Sequence, residues 1–366
     1  MKRLFMGMVL AASALAAWAL QSVELGRIDY VEGTVTISRV GRIISNPNID
    51  DPLLSGDLIR TGGDGQVVIA MDKATGMRGT ITVDPRSTLY LKLDFMKGQS
   101  RTTVDFLTGS MRSKVTKIAG EPRVNVVTDS ATMGVRGTEY GVAVSVNDDV
   151  LVTCTRGEVA VTDGTNEVPV PAGHGVVKKP DQGFEEIPVA ISSVKDFTQL
   201  WMTEEIDAFK ADAPRALADY AERYRNLEAQ FAEAYKPFQE SPTPRKWAEE
   251  DQSGAKIDPM SPEVLREKKE MAGYLFSIRK VLFIFERVYY RVDQISAIVA
   301  GTDAEKALVA PGLTAGAFIA SVKADRDKLA AEVARYRYIA SLFAERDAGG
   351  GFFGNQDDFF SSSDGF

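Results

Sequence analysis

Cysteine and histidine are almost absent from this chain of 366 residues, which has one of each. Cys154 alone cannot close an internal disulfide, so the fold must be held by packing. No cysteine lies near the start to carry a lipid anchor. In "VLVTCTRG" Cys154 alternates with Val150 and Val152, as a small buried hydrophobe does. His174, in "PAGHG", reads as an exposed turn residue without a partner, which leaves a Ser-His-Asp triad or a zinc site without its usual ligand. A basic surplus is missing too: the net charge is -8 and the pI about 5.1, and nucleic acid is not an expected partner. The acid pairs Asp50-Asp51 and Asp148-Asp149 are adjacent rather than alternate. They lack calcium-loop spacing and read as solvated loop residues. No catalytic, cofactor or metal residue is therefore assigned and no enzyme is expected. A pair of carboxylates distant in sequence keeps a cell-wall glycan hydrolase open as an alternative.

Long apolar runs are also missing after the first twenty residues. The start itself reads as an export signal, residues 1–22. Lys2 and Arg3 precede an apolar stretch from Leu4 to about Leu20, and Ala17-Trp18-Ala19 supplies an A-x-A cleavage pattern. The expectation is a periplasmic protein whose mature form begins near Leu20. An uncleaved anchor is the alternative.

Two textures follow. From 23 to 190, short segments such as "GTVTISRV", "GQVVIAM", "STLYLKL" and "YGVAVSV" alternate apolar and polar residues between Gly, Asp and Asn corners, predicting an all-β domain. One phrase recurs: "EGTV" at 32–35, "TGSM" at 108–111 and "RGEV" at 156–159. Similar corners feeding similar strands point to a rolled β architecture, a β-roll or solenoid, or a sandwich.

From 191 to 348 the pattern is helical. Leu217, Tyr220, Tyr224, Leu227, Phe231 and Tyr235 predict a helix over about 214–236, followed by a Pro- and charge-rich linker at about 237–260. A second helix, about 262–299, carries Met271, Tyr274, Ile278, Val281, Phe285, Val288, Val292, Ile295 and Val299, a coiled-coil-like seam along a rod of roughly 55–60 Å. A third is expected at about 315–346. These stripes either pack on one another within the chain or form a homo-oligomer through the helices. The fold class is thus α+β with two domains, an N-terminal all-β domain and a C-terminal α-helical bundle or coiled-coil region. Residues 349–366, "GGFFGNQDDFFSSSDGF" with the preceding glycine, are low in complexity and are expected to be disordered. Phe352, Phe353, Phe359 and Phe360 are candidate partner-docking residues there.

"TMGVRGTEYGV", 132–142, is the most distinctive stretch. Its Gly134-Val135-Arg136-Gly137 lacks P-loop spacing, and a strand rather than a helix follows, so the glycines are read as permitting a sharp turn. Arg136 at that turn has a potential partner in Glu139.

The segment from Thr128 to Val142, with Arg156-Gly157-Glu158-Val159, Val170-Pro171-Ala172-Gly173 and "LLSGDLIRTGGDGQVVI" at 53–69, resembles the FecR domain of bacterial envelope proteins over about 24–180. The resemblance implies an extracytoplasmic β domain that works by binding. Gly134, Val135, Arg136, Gly137, Thr138, Glu139 and Tyr140 would be its family-motif residues. In the founding members such a domain senses an outer-membrane transporter and controls a sigma factor. Here an export signal stands where a cytoplasmic anti-sigma segment would, and a helical region follows. The expectation is a non-catalytic scaffold recognising an envelope protein or a peptidoglycan-type glycan. A signal-sensing module coupled to a separate membrane partner is the alternative.

Overall fold

The computed structural model describes residues 24–39, 42–72, 78–96, 99–116, 124–135, 137–180 and 182–347. Residues 1–22, expected to be an export signal, Arg136 and the four tail phenylalanines lie outside them. Alternating residues build the strands: β1 (Glu24–Glu32), β2 (Val35–Arg39), β3 (Arg42–Ser45), β4 (Pro52–Leu54), β5 (Leu58–Thr61), β6 (Gln66–Met71), β7 (Gly79–Val83), β8 (Thr88–Met96), β9 (Gln99–Val115), β10 (Val124–Val127), β11 (Thr132–Val135), β12 (Glu139–Val144), β13 (Val150–Arg156), β14 (Glu158–Thr162), β15 (Glu167–Pro171), β16 (His174–Lys178) and β17 (Phe184–Pro188). Hydrogen bonding joins them into one continuous sheet.

That sheet is folded into two layers. One runs β4-β1-β6-β7-β9-β12-β13-β16-β17 and the other β3-β2-β5-β8-β9-β10-β11-β14-β15. They share β9, whose first half pairs with β8 up to Thr108 and whose second half pairs with β12 from Gly109 onward. Gly109, at φ +97°, makes that switch, and an added Cβ would lie 2.2 Å from the Ser87 hydroxyl. The recurring phrase of the sequence is this device: Gly33 and Gly157, also at positive φ, carry the chain from layer to layer between β1 and β2 and between β13 and β14. Leu25, Ile28, Ile69, Phe106, Met133, Val152 and Cys154 fill the space between the layers. Cys154 is fully buried there, and burial raises its thiol pKa.

Residues beyond 190 form α1 (Val194–Ala211), α2 (Ala213–Glu240), α3 (Thr243–Ser253), α4 (Pro262–Val299), α5 (Ala315–Ala324) and α6 (Arg326–Asp347). The fold is two-domain α+β, as the composition shift at 190 indicates. The α4 bounds coincide with the expected helix; Ser261 caps its N-terminus and Pro262 takes the first turn. Its seam is covered inside the chain. Phe285 meets Tyr224 and Phe231, Tyr220 donates to the Val288 carbonyl, and Ser241 and Thr243 donate to Glu270, so α2 and the start of α3 run antiparallel to α4.

Three local expectations need correction. The stretch at 237–260 is not a plain linker. The first helix continues through Pro237 to Glu240 because Phe238 is anchored in the core, and α3 follows with Trp247 fully buried. The third helix is two: it breaks at Asp325, after which Arg326 pairs with Asp293 of α4. A short hairpin, Leu308–Ala310 with Leu313–Thr314, also interrupts the helical region, giving a strand pattern too brief to register as alternation.

Candidate functional site at the domain joint

The motif stretch forms a corner between the layers. Strand β11 ends at Val135 in one layer and β12 starts at Glu139 in the other. Gly137 sits at φ +68°, whereas Gly134 is an ordinary strand residue opposite Asn125 and Ala160, with open space where a Cβ would go. Only one of the two glycines is thus required by the backbone. Thr138 is fully buried and its carbonyl accepts from the Val115 amide at 2.8 Å. Glu139 pairs with Lys114 at 3.0 Å and lies 3.8 Å from Arg156. Tyr140 faces the core, where burial raises its phenol pKa. Replacing Gly137 with Val should cost about 1–3 kcal/mol through the left-handed backbone; unchanged urea unfolding would contradict this.

Other quoted motif residues are structural as well. The buried Asp57 carboxylate takes two bonds from Arg39, at 2.8 and 2.7 Å, and one from the Leu54 amide. Asp64 accepts from the Thr34 amide beside the Gly33 switch. His174 is exposed at the start of β16. Among the described residues no three His, Cys, Asp or Glu side chains are grouped as metal ligands, and no helix is long and apolar enough to cross a membrane.

The densest polar chemistry lies where the helices meet the β domain. On the outer face of one layer, Leu58, Tyr90 and Leu107 pack on Tyr290 of α4. Around them Arg287, 1% exposed, pairs with Asp105, which also receives Lys92 at 2.9 Å. Burial opposes the Asp105 charge, but Arg287 and Lys92 outweigh it and hold the carboxyl at about 2. Tyr90 donates to Glu286 at 2.6 Å, Glu286 pairs with Arg337 of α6 at 2.7 Å, and that guanidinium lies 3.6 Å from the centre of the Tyr90 ring. Arg60 and Arg326 converge on Asp293.

The β12–β13 turn makes the second contact. Val146 enters the helical core. Ser145 and Asn147 donate to the Glu205 carboxylate of α1, and Asp148 is held by Arg223 of α2 and Arg291 of α4. Asp148-Asp149 is therefore not a solvated loop pair: Asp149 is 6% exposed. Against the outer face of the other layer, Trp201 of α1 packs on Ala143, Leu151 and Val177.

Asp149 gains no ion pair closer than Lys179 at 3.9 Å. Burial first, then Glu205 and Asp148, raises its carboxyl to about 6, against a smaller opposing pull from Lys179. A carboxyl raised by folding contributes stability that is complete below its unfolded pKa, near 4, and is lost as pH rises through about 6. The wild type should therefore gain about 1 kcal/mol relative to Asp149→Asn on moving from pH 7.5 to 5, because only the step from about 6 down to 5 falls in that window. Urea titrations of both proteins at the two pH values check this, and parallel pH dependences would refute it.

The sequence reading missed this joint because Glu286, Arg287, Tyr290, Arg291 and Asp293 read as the solvent face of an amphipathic helix. The available signal was on the other side: Leu58, Tyr90 and Leu107 point outward from a strand layer, where water-facing residues are expected.

Two strand layers sharing one strand, clamped to a helical bundle by buried ion pairs, define a two-domain α+β protein. The sequence profile of the FecR protein family matches residues 57–160, which lie within the β domain. Two crystal structures of a candidate anti-sigma factor from Parabacteroides distasonis are similar to this chain at 13% identity and a TM-score of 0.33. Each match covers 39% of this chain and 64% of that protein, so this chain spans less than two thirds of its length. No curated protein matches the sequence.

Proposed function

We propose that this chain is a non-catalytic regulatory protein of the bacterial envelope. Its FecR domain takes a protein or cell-wall glycan as ligand, and its helical bundle relays or presents the bound state to a further envelope partner. The observation that carries the reading is the joint. Arg287, Glu286, Arg291 and Asp293 tie one face of α4 to Asp105, Tyr90, Asp148 and Arg60 of the β domain. The buried pairs Arg287–Asp105 and Arg291–Asp148 are costly to separate, so strain in the β domain is passed to α4 rather than absorbed at a loose hinge. The FecR match supports the regulatory class, and the export signal supports a periplasmic location.

Crosslinking and pull-down of the intact exported protein from envelope extracts tests the proposal, with N-terminal sequencing of the recovered form. The expected result is one saturable partner, protein or glycan, and a start near Leu20. Cleavage of peptidoglycan by the purified protein would replace this reading with that of a hydrolase. Intact Met1 in the membrane pellet would mean an anchor.

A further inference from the structure

Three carboxylates meet where the β12–β13 turn enters the helical region, and they are not equally provided for. Asp148 takes the guanidinium groups that the helices offer, Arg223 of α2 and Arg291 of α4, and Arg223 also lies 3.4 Å from Asp129. Glu205 of α1 accepts from Ser145 and Asn147. Asp149 is 6% exposed, yet its closest cation is Lys179, just after β16, at 3.9 Å. The Lys179 side chain is 43% exposed and so is partly solvated. Lys178 beside it gives its ammonium to the Lys179 and Gln182 carbonyls and lies 4.0 Å from Asp163. Among the described residues the Asp149 carboxylate receives no hydrogen bond, while Glu205 and Asp148 both act on it with negative charge. A desolvated carboxylate in that position opposes its own ionisation, and when ionised it repels the acid of α1.

We infer that Asp149 is a proton switch: its protonation seats α1 on the β domain, and its ionisation loosens that seat. The charge and the tie it acts on share the same few atoms. The Ser145 hydroxyl accepts from the Asp149 amide at 3.2 Å and donates to the Glu205 carboxylate at 3.1 Å. Helix α1 is suited to respond, because Val194, Trp201 and Phe209 are the buried residues among its 18. Beyond Trp201 on Ala143, Leu151 and Val177, the contact of α1 with the turn is the Glu205 tie. It is also the covalent link between the domains, joined to α2 through Asp212 alone, so a looser seat alters the joint without unfolding either side. The sign follows from the environment. Seated, the Asp149 carboxyl is raised to about 6; released to water it returns to near 4. The seat is therefore firmest below about pH 4 and weakens as pH rises through about 6. Between pH 7.5 and 5 it strengthens roughly tenfold, the one pH unit below 6 that falls in that window.

Amide hydrogen exchange of the full-length protein, read by mass spectrometry as protection factors at pH 5 and 7.5, tests this. At pH 7.5 the α1 amides should exchange faster than those of α4, through local opening. At pH 5 their protection should rise roughly tenfold. In Asp149→Asn, α1 should be equally protected at the two pH values. Glu205→Gln keeps an acceptor for Ser145 and Asn147 but removes the repelling charge, and should shrink the pH effect. The inference would be overturned by α1 amides protected as strongly as those of α4 at pH 7.5, or by α1 protection that does not change with pH. A pH effect of undiminished size in Asp149→Asn or in Glu205→Gln would overturn it as well. These outcomes do not depend on the envelope partner proposed above.

Discussion

Placing Asp at Phe285 should destabilise the protein by more than about 5 kcal/mol, the largest single effect expected in this chain. Phe285 is 1% exposed and touches Tyr224, Phe231 and Tyr289 with ring centroids 5.3 to 6.4 Å apart. The change removes a ring from the centre of the bundle and puts a carboxylate among the aromatic groups Tyr224, Phe231 and Tyr289. Circular dichroism during urea unfolding of residues 24–347 and of its variant would show it. A fully helical variant of unchanged midpoint would mean that the α4 seam is not the bundle core. Sedimentation of the parent then addresses association: with the seam covered inside the chain, a concentration-independent monomer is expected.

Replacing Arg287 with Met should cost about 3 kcal/mol. The partner left behind, Asp105, is 5% exposed, and Lys92 is then its one remaining ion-pair partner among the described residues, with Arg337 acting from farther away. Loss of a buried partner costs more than the pair contributes, because the remaining charge keeps its desolvation penalty. The double variant Arg287→Met with Asp105→Leu should therefore be more stable than Arg287→Met alone, since Lys92 is exposed enough to be solvated. Urea midpoints of the four proteins in the cycle measure the coupling. Equal destabilisation in the single and double variants would show that Arg287 acts by packing on Phe283, whose ring lies 3.8 Å from its guanidinium carbon, and not through Asp105.

Both experiments bear on how far the sequence could be read. Seam residues such as Met271, Phe285 and Val292 were legible because large apolar side chains at helical spacing must be covered, whatever covers them. Arg287 was not legible. Its charge lies on the polar face of the same helix, and local pattern assigns such a face to water.

The sequence by itself determined the division near residue 190, the strand periodicity, the bounds of α4, the burial of Cys154 and the FecR phrases. Each depends on spacing within a few residues, where side-chain direction follows directly from backbone period. Its recurring Gly corners marked layer switches, because only glycine takes that backbone conformation without strain. Tertiary structure alone decided that Asp149, Glu286, Arg287 and Arg291 are buried, that Pro237 lies inside a helix, and that α3 exists. Those outcomes depend on which surfaces meet across 60 to 230 residues of chain, as in the pairs Ser145–Glu205 and Arg60–Asp293. A charged side chain reads the same in sequence whether its counter-ion is water or a residue of the other domain; the difference comes from desolvation, which exists only once the two domains are in contact.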